Sequence, residues 1–220
     1  MNSSSHSSPP DSLKEPVVYV VDDDESMRLA LDGLLRSIGL QVQTFDSTQA
    51  FLACARRDVP SCLILDVRLR GESGLAFQEQ MEKSGARMPI VFMTGHGDIA
   101  MTVKAMKAGA VDFLAKPFRD QDMLDAVASG LARDRERLQV ERSSAALREA
   151  FDSLTQRERD VLCFVIAGLM NKQIAAELNL SEVTVKVHRG HVMRKLAARS
   201  VADLVRMAEA LGVKPMQRTI

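Results

Sequence analysis

Five short apolar runs alternate with amphipathic stretches between Pro16 and Lys116, and this alternation restricts the fold more than any other feature of the sequence. Strand candidates are Val17–Val21, Gln41–Phe45, Cys62–Leu65, Ile90–Met93 and Val111–Leu114. Between the first two, Met27, Ala30, Leu31, Leu34, Leu35 and Ile38 recur at helical spacing, and Gly39 stops them. Further helices are expected near 47–57, 73–84 and 98–108. Strands alternating with helices over about 110 residues imply a parallel sheet, because parallel neighbours need crossovers and the crossing helices cover both faces. Right-handed crossovers then leave few topologies.

At 220 residues the chain has room for one large or two small domains. With 46% hydrophobic and 26% charged residues it has the composition of a soluble globular protein. Three widely spaced cysteines, Cys54, Cys62 and Cys163, have no metal-ligand spacing; each lies in an apolar run and reads as a reduced, buried, structural thiol, which suits a cytoplasmic protein. No apolar run approaches the roughly 18 residues of a membrane span. The start, MNSSSHSSPPDS, lacks an apolar signal core and reads as a disordered tail over 1–15. Net charge is zero, but residues 1–119 carry −2, residues 120–150 carry −2 and residues 151–220 carry +4. A basic C-terminal third points weakly to a polyanion partner.

Residues 120–150 contain no proline, and only Gly130 interrupts the helical pattern. Leu124, Leu131, Leu138 and Ala145 recur every seven residues around the charged run Arg133–Arg137. A short coiled coil and a final domain helix running into a solvated linker both fit. Residues 151–212 read as four short helices. Thr155 and Glu158 form a capping box, Asn171 is a candidate cap for the second helix, Ser181 for the third and Ser200 for the fourth, which Gly212 ends.

The acidic residues are placed where such a sheet puts chemistry. Asp22, Asp23, Asp24 and Glu25 follow the first strand, and Asp66 follows the third. The C-terminal ends of central strands line the ligand crevice of an open α/β sheet. Carboxylates gathered there repel one another unless a cation sits among them, and a hard divalent ion such as Mg²⁺ fits. Asp24 reads equally as a helix cap. Thr94 ends the fourth strand with a hydroxyl, and Lys116 ends the fifth with an ammonium; Pro117 after it is a candidate for a cis bond. Carboxylates, one hydroxyl and one ammonium at strand ends support phosphoryl transfer to a carboxylate, with Asp66 as nucleophile.

The segments VVDDDESMR, LILDVRLRGESG, VFMTGHGD and AVDFLAKPF resemble the receiver domain of response regulators over about residues 16–130. The resemblance implies a flavodoxin-like (βα)5 fold with strand order 2-1-3-4-5, an order already known for a member of this family. It implies Asp66 as phosphoacceptor, and Mg²⁺ held by Asp23, Asp66, the backbone carbonyl of Arg68 and, through water, Asp22. Thr94 and Phe113 become the switch pair and Lys116 the residue that meets the phosphoryl group. Many members carry a proline in the segment that here reads Leu69-Arg70-Gly71-Glu72-Ser73-Gly74, so a looser loop over the site is expected.

Asn171–Leu178, a turn at Asn179-Leu180 and Ser181–Lys195 have helix-turn-helix spacing. The second of these helices carries Lys186, His188, Arg189, His191, Arg194 and Lys195, and Val183, Val187, Val192 and Leu196 are expected to face inward. Spacing alone fits a DNA-reading helix and an ordinary basic helix on a bundle surface equally. The stretch LTQRERDVL…IAGLMNKQIAAELNLSEVTVKVHRGHVMRKL resembles the four-helix DNA-binding domain of the LuxR/NarL type over about residues 150–213. That resemblance implies base approach by Lys186 and Val187, and phosphate or flanking contacts by Lys172, Thr184, His188 and Arg189. Gly190 stands where some relatives carry a base-contacting lysine. Val201, Val205 and Met207 on the last helix are candidates for a dimer contact, with core packing an equal alternative for the two valines.

The whole chain resembles the FixJ-like branch of two-component response regulators, which includes regulators of styrene and toluene catabolism. The expected organisation is a tail over 1–15, a receiver domain over 16–130, a linker helix over 131–149, a LuxR-type DNA-binding domain over 150–213 and a tail over 214–220. The resemblance implies a sensor histidine kinase, promoter DNA and RNA polymerase as partners, a homodimer on phosphorylation, activation of transcription, and no membrane association. It implies no enzyme beyond Mg²⁺-dependent phosphorylation and dephosphorylation of its own aspartate. A metal-dependent phosphatase and a phosphorylation-independent scaffold are the competing classes; the helical C-terminal third lacks a catalytic constellation, and the full set Asp22, Asp23, Asp66, Thr94 and Lys116 disfavours a silent receiver.

Overall fold

The computed structural model describes residues 15–216 except Arg56, Arg70 and residues 96–98, and omits the side chain of Glu72. Most of the expected N-terminal tail and the last four residues therefore lie outside the described residues. The chain divides between Gln139 and Val140 into two compact units.

In the first unit the elements run β1 (Val17–Val21), α1 (Glu25–Ser37), β2 (Gln41–Phe45), α2 (Thr48–Ala53), β3 (Ser61–Asp66), β4 (Arg68–Leu69), β5 (Glu72–Ser73), α3 (Gly74–Lys83), β6 (Ile90–Thr94), α4 (Ile99–Lys107) and β7 (Asp112–Ala115). The main sheet is parallel, in the order β2-β1-β3-β6-β7. Counted over its five long strands this is the expected 2-1-3-4-5. The central strands β1, β3 and β6 are buried along their whole length, which is why they read as unbroken apolar runs. Alternate residues serve opposite faces. Tyr19, Leu63, Leu65 and Phe92 join one hydrophobic cluster, and Val20, Ile64, Val91 and Met93 join the other.

Helix α2 is shorter than the expected 47–57, because the chain turns extended at Cys54 on its way to Pro60. The segment expected to be a loose loop folds as a small antiparallel ladder, with Arg68 opposite Ser73 and Leu69 opposite Glu72.

A single helix, α5 (Asp120–Asp152), follows β7. Met123, Ala126, Val127 and Leu131 bury its first part in the second cluster. Of the seven-residue series, Leu131 and Leu138 are buried and Leu124 is half-buried, whereas Ala145 is exposed. Residues 139–146 are exposed on every face. Asp134, read from sequence as part of a charged run, is 1% exposed; its carboxylate accepts the N–H of Ser61 at 2.8 Å and pairs with Arg137 at 2.8 Å.

In the second unit, Leu147, Ala150 and Phe151 of α5 pack against a core built by α6 (Gln156–Ile166), α7 (Asn171–Leu178), α8 (Glu182–Lys195) and α9 (Val201–Ala210). The expected capping box forms: Thr155 Oγ1 accepts from the Glu158 N–H, and Glu158 Oε2 accepts from the Thr155 N–H. Ser181 and Ser200 also cap as expected. Asn171 does not. The extended residue before α7 is Met170, whose carbonyl accepts the first helical N–H groups and whose own N–H donates to Gln173 Oε1 at 2.9 Å.

Candidate functional site

The parallel register aligns the C-terminal ends of the strands, and the expected side chains meet there. Val21 pairs with Leu65 and Phe45, Asp66 with Met93, and Thr94 with Ala115. Asp22 and Asp66 therefore leave adjacent strands side by side. Oxygens of Asp22, Asp23 and Asp66 lie within 4.8 Å of one another. Lys116 Nζ donates to Asp22 Oδ2 and to Asp66 Oδ2, both at 2.7 Å. Asp22 and Thr94 are fully buried, and Asp66 is 8% exposed.

Burial pushes the Asp22 carboxyl above its ordinary value, against the hydrogen bond from Lys116 that pulls it down. For Lys116 burial works against the ammonium, but the hydrogen bonds to Asp22 and Asp66 outweigh it and hold its pKa above the usual lysine value. The Lys116–Pro117 peptide bond is cis, as the sequence allows.

Local backbone contacts fix the rest. Asp22 Oδ1 accepts the Asp24 N–H at 2.9 Å, and Arg28 Nη1 donates to the Asp22 carbonyl at 2.7 Å. Asp24 serves as a helix cap: it sits ahead of α1 and accepts from the Ser26 N–H at 2.8 Å. The Arg68 N–H donates to Asp66 Oδ1 at 2.9 Å, and the Gly74 N–H donates to the Val67 carbonyl at 2.9 Å. Gly74 permits this approach, since a Cβ there would stand 2.5 Å from the Asp66 carbonyl oxygen. Phe113 is half-buried one strand from Thr94, its ring 6.3 Å from that of Phe92.

The donor set suits Mg²⁺: three carboxylates offer hard oxygens at close spacing, beside an ammonium that already bridges two of them.

In the second unit, α7 and α8 flank a turn in which Asn179 is left-handed, with φ 53°. The inward stripe of α8 differs from the expected one. Val185, Val192 and Leu196 are buried, while Val183 is 72% and Val187 50% exposed. The 3.6-residue period places 185, 192 and 196 on one line and puts 183 and 187 off it. The correction leaves Val187 exposed beside the exposed Lys186. Lys172 is exposed on α7, and Thr184 and His188 are half-buried. Two of the basic residues are engaged within the unit: Arg189 Nη1 donates to Asn171 Oδ1 at 3.0 Å, and Lys195 Nζ meets Glu158 Oε2 at 2.7 Å. On α9, Val201 is exposed and Val205 half-buried, whereas Met207 packs against the core. Sequence reading missed Asp134 and the tertiary partners of Glu158; the apolar spacing around Asp134 was the available signal.

A carboxylate cluster with a bridging ammonium at the switch point of a doubly wound sheet, on a chain that also carries a helix-turn-helix unit, defines a regulator with a phosphoacceptor-type domain and a DNA-binding domain. The family model for the response regulator receiver domain matches residues 18–128, and the model for bacterial regulatory proteins of the luxR family matches residues 152–208. The chain is 55% identical to nodulation protein W of Bradyrhizobium diazoefficiens, over 90% of this chain and 87% of that protein. It is 48% identical to response regulator protein TodT of Pseudomonas putida, over 89% and 86%. Among solved structures, response regulator StyR matches with 52% identity and a TM-score of 0.81, covering 89% of this chain and 98% of that one. Full-length FixJ from B. japonicum matches with 40% identity and a TM-score of 0.52, over 89% and 97%. The chain belongs to the two-component response regulators that join a receiver domain to a LuxR-type DNA-binding domain. Its relatives include proteins named as transcriptional regulatory proteins. No described helix is long and apolar enough to cross a membrane.

Proposed function

We propose that Asp66 is the phosphoacceptor and that its phosphorylation by a sensor histidine kinase switches DNA binding. The observation that carries this is Lys116 Nζ held at 2.7 Å from both Asp22 and Asp66, which places one ammonium against the acceptor and its acidic neighbour. An Asp66 carboxylate oxygen attacks the phosphorus of a phosphohistidine; the P–O bond forms, the P–N bond breaks, and the imidazole leaves with a proton. Asp23, Asp66 and the Arg68 carbonyl would hold Mg²⁺, with Asp22 acting through water. When bound, the ion offsets the charge gathered by the carboxylates and the incoming phosphoryl oxygens. The Thr94 hydroxyl then donates to a phosphoryl oxygen, Lys116 pairs with another, and Phe113 turns inward toward the space Thr94 leaves. The only catalysis in this reading is phosphorylation and dephosphorylation of the chain's own aspartate.

The domains divide as receiver over 16–130, linker helix over 131–149 and DNA-binding domain over 150–213, with tails at 1–15 and 214–220. Phosphorylation shifts a pre-existing equilibrium toward a homodimer that binds promoter DNA in the cytoplasm. Lys186 and Val187 approach bases, and Lys172, Thr184, His188 and Arg189 meet phosphates or flanking groups. The exposed valine beside a lysine on α8 supports that assignment, since an apolar tip suits a thymine methyl. Val201, Val205 and Met207 contribute to the dimer, and the bound dimer activates transcription through RNA polymerase.

The test is labelling by acetyl phosphate. Mg²⁺-dependent, hydroxylamine-labile label that is absent in Asp66→Asn, together with dimerisation of the labelled wild type, is expected. Label without any change in oligomeric state or DNA affinity would remove the switch. Undiminished phosphate-dependent DNA binding in Asp66→Asn would remove Asp66.

A further inference from the structure

The second unit gathers metal-ligating side chains of its own. His188 and His191 stand three residues apart on α8, and Glu158 reaches the same point from α6. One ring nitrogen of each histidine and one carboxylate oxygen of Glu158 lie within 4.8 Å of one another. His191 Nδ1 is 3.3 Å from Glu158 Oε1. His188 Nδ1 is buried and has no hydrogen-bond partner among the described residues.

The two oxygens of Glu158 have separate surroundings. Oε2 accepts from the Thr155 N–H at 2.8 Å and from Lys195 Nζ at 2.7 Å. Oε1 faces His191. Lys195 is itself held by the Ser153 carbonyl at 3.0 Å. The Thr155 N–H and Lys195 thus hold Oε2 and leave Oε1 toward His191, a carboxylate donor oriented by contacts on its far oxygen, as carboxylate ligands of metal sites commonly are.

We propose that Glu158, His188 and His191 bind a divalent transition ion of the Zn²⁺ class, at a site distinct from the acidic Mg²⁺ pocket. Two imidazole nitrogens and one carboxylate oxygen are a Zn²⁺ donor set that leaves a fourth position for water, whereas Mg²⁺ prefers oxygen alone. The three donor atoms already converge to within 4.8 Å of one another. The Lys195 ammonium next to the carboxylate opposes a second cation and makes the site an exchangeable one. Occupancy ties the recognition helix α8 to α6.

The experiment uses the full-length chain with excess Mg²⁺, titrated with Co²⁺ and followed by visible absorption. Wild type and Asp66→Asn are expected to bind one Co²⁺ per chain with the same affinity, and added Zn²⁺ to displace it. His191→Gln should weaken binding at least tenfold, and His191→Cys should restore it with a thiolate-to-metal band in the near ultraviolet. If His191→Gln folds poorly, the His191→Cys band decides alone. The site is overturned if Co²⁺ binds His191→Gln within tenfold of wild type, if binding is lost in Asp66→Asn, or if His191→Cys shows no thiolate band.

Discussion

Gly130 of α5 crosses β3 so closely that a Cβ there would stand 2.6 Å from the sulfur of Cys62. Cys62 is fully buried, so its side chain has little room to yield. Gly130→Ala should gain helix propensity and still lose stability, by about 1–3 kcal/mol, because overpacking outweighs the smaller propensity term. The same substitution in a Cys62→Ala background should cost at least about 1 kcal/mol less. Urea melts of the four proteins check this, and additive effects would show that the contact is not the cause.

Cys62 should also be chemically silent in the native protein. Burial, with Asp134 adding to it, pushes its thiol up to about 12. At pH 8 a disulfide reagent should modify Cys54 and Cys163, which are only half-buried rather than buried as their apolar runs suggest, and reach the third thiol only on unfolding. Rapid reaction of all three thiols in the native chain would contradict this.

Both predictions lie where sequence reading stopped short. The strand ends were legible because Asp22, Asp66, Thr94 and Lys116 each close an apolar run, and a parallel sheet brings such ends together. The caps at Thr155, Ser181 and Ser200 were legible because they are local. Gly130 and Asp134 were not, because a helix interruption and a solvated charge are what they look like until α5 is laid against β3. Their spacing with Met123, Val127, Leu131 and Leu138 put both on the buried stripe, but a single charged residue in a run of charges carries little weight against its neighbours. The phase of α8 failed for a related reason. Its valines lie on more than one side, so counting apolar positions picked Val183 where the helix buries Val185.

Lys116→Met removes the ammonium bonded to both Asp22 and Asp66. In chelator the variant should be less stable by about 1–3 kcal/mol, less than a fully buried pair would lose, since Lys116 retains some exposure. Millimolar Mg²⁺ should recover part of the loss by standing among the carboxylates. Thermal melts with chelator and with Mg²⁺ test this, and an equal loss in both buffers would separate the ion from the carboxylate cluster.

Gly74→Ala should slow labelling of Asp66 by acetyl phosphate at least tenfold while the chain remains folded. The added Cβ would meet the Asp66 carbonyl at 2.5 Å, a backbone atom that moves only if the loop after the acceptor moves. The Gly74 N–H bond to the Val67 carbonyl would lengthen with it. Labelling at the wild-type rate would mean that the loop absorbs the clash without shifting the acceptor.

Glu158 gives the second unit an acid limit. Its folded pKa, about 2, lies below the ordinary 4.5, despite burial, because Lys195 and Thr155 stabilise the charged form. A carboxylate depressed in this way contributes stability that is fully present above about pH 4.5 and is lost as the pH falls through 2. Glu158→Gln keeps the shape but removes the charge facing Lys195 and His191. It should cost about 1–3 kcal/mol at pH 7. The gap from wild type should narrow steadily between pH 4.5 and 2. Urea denaturation of both proteins in chelator, followed by circular dichroism across that range, measures the gap. A difference that stays constant down to pH 2 would mean that Lys195 does not hold the charge of Glu158 in the folded state.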